Sequence, residues 1–247
     1  MTTDFDSFDE SPLHVFVESS LGVRNGVMPS VGGRVLVWLR NTGYFTEPTF
    51  YVLKAVFEDM GHPTDVAVDG VNPGWTGNIN NYVLVIWPIA VANVNGEPPW
   101  LGDVRRGTWT GRICVTAEYS SLSDSIFYVE SLSPLTGIHL RGGLDLGQQH
   151  GPGYWDGPAY EHPLTVDVAT IAYKDTCLLD SGGLPVSRVL HPPDPLYPVW
   201  IMSNQVGTVN WVVCGDSTAF SDGQYFEPPT NFAYLNRRFL KNMAEVL

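Results

Sequence analysis

Short apolar runs separated by turn residues, rather than long amphipathic stretches, set the pattern of the chain. Arg34-Val35-Leu36-Val37-Trp38-Leu39 follows Gly32-Gly33 with no polar alternation, as expected of a strand covered on both faces. After the loop Asn41-Thr42-Gly43-Tyr44 the period changes. Thr46 is placed to cap a helix that opens with Glu47-Pro48 and carries Phe50, Leu53, Val56, Phe57 and Met60 on one face, and Gly61 followed by His62-Pro63 stops it. Val66-Ala67-Val68 predicts a second strand, Tyr82 to Trp87 a third, and Arg112 to Ala117 a fourth. Ser123 can cap a short helix containing Ile126, Phe127 and Val129 that ends near Pro134. Strand, helix and strand in alternation imply an α/β fold with a doubly wound, mostly parallel sheet of the flavodoxin-like kind.

From Gly137 to Pro198 glycines, prolines and aromatics interrupt short β-like pieces such as Thr165 to Tyr173, which predicts a β-rich insertion at about 137–198. Regularity returns with Val199 to Met202 and Asn210 to Cys214, a β-hairpin turning at Gly207. A closing helix is expected from about Asn231 to Val246, with Phe232, Leu235, Phe239 and Met243 facing inward. At the other end, residues 1–30 hold one apolar patch, Leu13 to Val17, among acids, Ser and Gly. They read as an extended N-terminal arm on a single domain of residues 31–247.

Composition narrows the function more than the fold. The 247 residues are 44% hydrophobic and only 16% charged, which excludes a disordered or coiled-coil chain and supplies a large core. A formal net charge of −13 repels phosphate backbones and acidic lipid surfaces, so neither nucleic acid nor membrane is an expected partner. The longest apolar run, Tyr82 to Ala92, is interrupted by Pro88 and is about half of the ~20 residues a spanning helix needs. Acids at Asp4, Asp6, Asp9 and Glu10 are the reverse of a signal peptide's basic start, so a cytoplasmic protein or part of an intracellularly assembled particle is expected. Cys114, Cys177 and Cys214 lie far apart with no zinc-ligand spacing, as buried thiols would, and no phosphate-binding glycine fingerprint occurs. No cofactor and no metal are expected.

The segment Trp211-Val212-Val213-Cys214-Gly215-Asp216-Ser217-Thr218-Ala219-Phe220-Ser221, followed by Asn236-Arg237-Arg238-Phe239-Leu240-Lys241-Asn242, resembles a known ending. It looks like the closing strand, "GDS" turn and "N-R-x-F-L-x-N" helix of the class I glutamine-amidotransferase-like superfamily. The branch it resembles is the non-amidotransferase one, which includes ThuA-like proteins and domains of gliding-motility and intraflagellar-transport components. The likeness covers residues 34–120 and 199–247. Catalytic members place a nucleophilic Cys on a Gly-flanked elbow after a central strand. Here the corresponding turn reads Val115-Thr116-Ala117-Glu118-Tyr119-Ser120, without cysteine or glycine, and Cys114 falls inside the strand. The resemblance therefore implies an amidotransferase-like domain without its nucleophile.

Two sets of residues are candidates for function. Open α/β sheets bind ligands beyond the carboxyl ends of their strands, which here supply Asn41, Thr42, Tyr44, Glu118, Tyr119, Ser120, Asp216 and Ser217. Glu118 could act as a base there with Asp216 as a second carboxylate, whereas Asp216-Ser217 could equally cap its own turn. The second set consists of contact residues: Leu13, Val15 and Phe16 on the arm, and Tyr154, Trp155 and Tyr160 in the loop from Gln148 to His162. That loop's two histidines and two carboxylates match no strong metal spacing. The expectation is a non-catalytic interaction module whose partners are other protein subunits, copies of itself included, in a secretion, motility or virion structure. The alternative is a ThuA-like enzyme acting on a sugar or small polar substrate through carboxylates.

Overall fold

The computed structural model describes residues 33–39, 48–68, 75, 77–90, 97–117, 123–141, 155–174, 176–189, 199–223 and 231–246. Four parallel strands come first: β1 (Arg34–Leu39), β2 (Thr64–Val68), β3 (Tyr82–Trp87) and β4 (Arg112–Thr116). Their helices are α1 (Pro48–Asp59), α2 (Leu101–Arg105), α3 (Ser123–Ser131) and α4 (Ser133–Thr136). Five short strands follow, β5 (His139–Leu140), β6 (Trp155–Pro158), β7 (Thr170–Tyr173), β8 (Leu179–Ser181) and β9 (Leu184–Arg188). The hairpin β10 (Val199–Val206) and β11 (Val209–Cys214) precedes α5 (Phe232–Leu235) and α6 (Arg237–Glu245).

Nine strands form one sheet, with the parallel half in the spatial order β2-β1-β3-β4-β11. The hairpin then reverses direction: β10 runs antiparallel to β11 and carries β9 and β8 on its other edge, and β5 closes the path on β8. A separate antiparallel pair, β6 and β7, lies beside it. Register explains why the strand sequences lack alternation. Val37, Ile86, Cys114 and Val212 lie in one row across β1, β3, β4 and β11 and face α1 and α6, while Trp38, Trp87, Val115 and Val213 face α2 and α3. Helices cover both faces, so the middles of these strands are apolar on both sides, and the polar residues Arg34, Asp65, Arg112 and Thr116 fall at or near strand ends.

Local signals account for the element ends. Gly61 stops α1 with φ +85°, a left-handed conformation that costs other residues a steric penalty. The hairpin turns at Gly207, with φ +62°. Asp65 ties the amino ends of three strands together, accepting 2.7 Å bonds from the Arg34 guanidinium and a 2.8 Å bond from the Tyr82 hydroxyl.

The structure corrects the expected closing helix, which is two helices divided at Asn236, and Leu235 is 52% exposed rather than inward. Its fellow residues Phe232, Phe239 and Met243 are buried as expected. Phe127 on α3 is likewise exposed, at 69%. The segment expected as an insertion, residues 137–198, carries β5 through β9. Its Leu164, Ile171, Tyr173 and Val186 belong to the same apolar cluster as Val35, Phe57 and Cys214 of the parallel half.

Candidate functional site

Of the residues expected at the strand ends, Asn41, Thr42, Tyr44, Glu118, Tyr119 and Ser120 lie outside the described residues, as do the contact candidates Leu13, Val15, Phe16 and Tyr154. Trp155 opens β6 by its backbone, and its side chain lies outside them as well. Tyr160 is half-buried, with the Arg188 guanidinium 5.9 Å above its ring. Asp216 and Ser217, both buried, follow β11.

Asp216 Oδ1 accepts the Thr218 N–H at 2.7 Å, which is the expected Asx-type cap of its own turn. Its second oxygen does something else. Asp216 Oδ2 accepts the backbone N–H of Lys174 at 2.8 Å, fastening the strand end to the insertion just beyond β7. Gly215 makes room for the same crossing. A Cβ there would stand 1.9 Å from the Cys177 carbonyl oxygen and 2.6 Å from Thr176 Oγ1, and the Cys177 N–H donates to the Gly215 carbonyl at 2.9 Å. Glycine at this position is a matter of space.

The two asparagines of the closing motif serve the same junction. Asn236 accepts the Ala172 N–H at 2.8 Å and donates to the carbonyls of Ala172 at 2.9 Å and Ala219 at 2.8 Å, completing the open edge of β7 as a strand would. Asn242 donates to the carbonyls of Leu164 at 3.0 Å and Val166 at 2.8 Å. Beneath it the Arg112 guanidinium, 4% exposed, caps the carbonyl end of α6 by donating to Met243 O at 2.6 Å. Burial pulls its pKa down to about 10, so it keeps its charge at neutral pH.

A serine and a histidine that share no sequence motif also meet here. Ser203 Oγ on β10 lies 2.7 Å from His162 Nε2, across a separation of 41 residues that no sequence motif bridges. The arrangement runs opposite to that of a catalytic pair. Leu164 N–H donates to His162 Nδ1 at 3.0 Å, so the ring proton sits on Nε2 and is donated to Ser203, where a general base would need to accept. Burial, and secondarily the Arg112 charge, lower the His162 pKa to about 4 and keep the ring neutral.

Among the described residues at the β4 end there is no exposed nucleophile. Thr116 Oγ1 and its carbonyl accept the N–H groups of Ile89 and Ala90 at 2.8 and 3.0 Å, and Cys114 is fully buried, which pushes its thiol pKa far up. All three cysteines are buried and unbridged. Among the described residues no group of three or more His, Cys, Asp or Glu side chains is placed to hold a metal. Among the same residues no helix is long and apolar enough to cross a membrane.

No protein-family model matches the chain, and no curated protein sequence matches it. Solved structures do. The mmIFT52 N-terminal domain aligns with a TM-score of 0.57 over 87% of this chain and 99% of that one, at 13% identity. A β-galactosidase from Rahnella sp. R3 aligns at 0.53 over 87% of this chain, with 15% identity, and the GH42 β-galactosidase Gan42B at 0.51 over 85%, with 11% identity. This chain spans 32% and 30% of those two enzymes' lengths. At such identities the likeness is one of fold.

Proposed function

We propose that this chain is a non-catalytic interaction module, an amidotransferase-like domain of the ThuA-like and intraflagellar-transport-type branch that serves as one subunit of a larger protein assembly. The observation that carries this reading is the use made of Asp216. The carboxylate at the end of β11 is fully buried, with one backbone N–H held on each oxygen, and so lies out of reach of a substrate. A general acid or base needs a free oxygen within hydrogen-bond reach of substrate. The Ser203–His162 pair points its proton the wrong way, and Cys114 is sealed within β4.

The spatial order of the parallel strands supports the doubly wound, flavodoxin-like reading, since β2-β1-β3-β4 followed by a fifth strand is that fold's order. The match along nearly the whole mmIFT52 N-terminal domain supports a module of this type. Other protein subunits, copies of this chain included, are the partners the reading implies, without nucleic acid or membrane and inside the cell. Size-exclusion chromatography with light scattering, on the purified chain and on the chain drawn from its native lysate, tests this. The module is expected to elute with partner subunits or as a multiple of its own mass. A strictly monomeric chain without co-purifying protein overturns the reading.

A further inference from the structure

Arg112 opens β4 at the amino end of the sheet, buried and charged at neutral pH. Among the described residues no carboxylate pairs with it: Glu245, the acid of the last turn of α6, is turned to Lys241 and His62. The guanidinium spends one nitrogen, Nη1, on the carbonyls of Met243 at 2.6 Å and Asn242 at 3.4 Å. Nε and Nη2 bond to none of the described residues, and unlike the ring nitrogen of Trp100 they are not sealed from water, so that edge of the fork is open. We propose that this edge binds a small carboxylate ligand side-on, at the amino ends of β4 and β11.

Charge, geometry and a neighbouring amide define the ligand. A buried cation without a counter-ion is costly, and the carbonyl end of α6, which carries roughly half a negative charge, offsets only part of it. The remainder suits a monoanion rather than a phosphate, which would bring up to about two negative charges to the same helix end. The free edge offers two parallel N–H groups, and a planar carboxylate accepts both at once. Asn210 supplies a third donor. It is the register partner of Arg112 on β11, and both lie two residues before members of the cluster under α1 and α6, Val212 and Cys114, so their side chains share that face. Neighbouring strands are about 4.8 Å apart, which sets the half-buried Asn210 amide beside the base of the Arg112 side chain. That amide bonds to none of the described residues either.

Titration of the full chain with sodium acetate, at an ionic strength held constant with sodium chloride, tests the assignment through the side-chain Nε–H resonance of Arg112 in nitrogen-15-labelled protein near pH 6. The resonance is expected to move and to saturate. Arg112→Lys identifies it if that variant folds, and Asn210→Ala, at a half-buried position, keeps the test open if the cap on α6 is too important to lose. With its fold checked by the urea midpoint, Asn210→Ala is expected to bind acetate about tenfold more weakly, through the loss of one hydrogen bond to a charged group. A shift that grows without saturating, or that chloride alone reproduces, overturns the site. Inorganic phosphate binding more tightly than acetate overturns the carboxylate class, and parental affinity in folded Asn210→Ala overturns the placement beside β11.

Discussion

Asp216 shows what a buried carboxylate does when it is not available for chemistry. Each oxygen receives one backbone N–H, from Thr218 and from Lys174, and the group is removed from water. Asp216→Asn turns one acceptor into a donor facing an N–H, so the replacement leaves an unsatisfied buried group and should cost about 1–3 kcal/mol. The urea midpoint reads this directly, and a midpoint within error of the parent would show that the bonds carry nothing. His162 gives a pH-dependent counterpart. Folding lowers its pKa to about 4 from 6.5, so the unfolded chain takes up the proton first. Stability is then full above about pH 6.5 and is lost as pH falls through about 4. Midpoints measured from pH 7 to pH 4 should fall less steeply in His162→Gln than in the parent, the difference isolating this residue from the carboxylates that titrate nearby. Half of Asp216's role is legible in the sequence, because a cap two residues away is a local rule. The bond to Lys174 is not, since it joins residues 42 apart.

Among the elements, the closing segment from Gly215 to Asn242 is the one that clasps residues 164–177. Gly215, Asp216, Asn236 and Asn242 each touch backbone between Leu164 and Cys177, and all four lie within the quoted ending. Asn236→Ala strips three hydrogen bonds from Ala172 and Ala219 in a dry site and should cost about 2–4 kcal/mol, with faster amide exchange across β7 than across β1. Gly215→Ala should be worse, because the new methyl meets a carbonyl oxygen at 1.9 Å and the backbone of one segment must move. Parental exchange rates in β7 of Asn236→Ala would refute the clasp. The parallel strands, the stop at Gly61 and the turn at Gly207 are readable from sequence because period and turn chemistry are local. The break at Asn236 is not. Its cause is a side chain engaged by a distant strand edge, and helical periodicity through Leu235 carries no sign of it. The short strands β5 to β9 escape for the same reason: two to five residues each, they are fixed by their neighbours rather than by pattern.

At the scale of the whole molecule, the insertion and the parallel half share one apolar cluster, in which Tyr173 and Trp200 stand with Val35, Cys114 and Cys214. The clasps join the same two parts, so the described portion should open as one unit rather than two. The cysteines report on this without any substitution. Cys114 and Cys214 sit in adjacent parallel strands, paired with Ile86 and Ile201, while Cys177 lies at the crossing beside Gly215, and all three are buried. With iodoacetamide at mildly alkaline pH under native conditions, each thiol should label only through global opening. Rates should fall about a thousandfold or more below the denatured chain for a stability of ~5 kcal/mol, and the three should rise together as urea is added. Labelling of Cys177 ahead of the other two would show an insertion that opens by itself, held to the sheet more weakly than its hydrogen bonds suggest. Rapid labelling of Cys114 alone would mean that the β4 strand end is reachable in the folded state, and the interaction-module reading would then give way to a thiol chemistry at that strand.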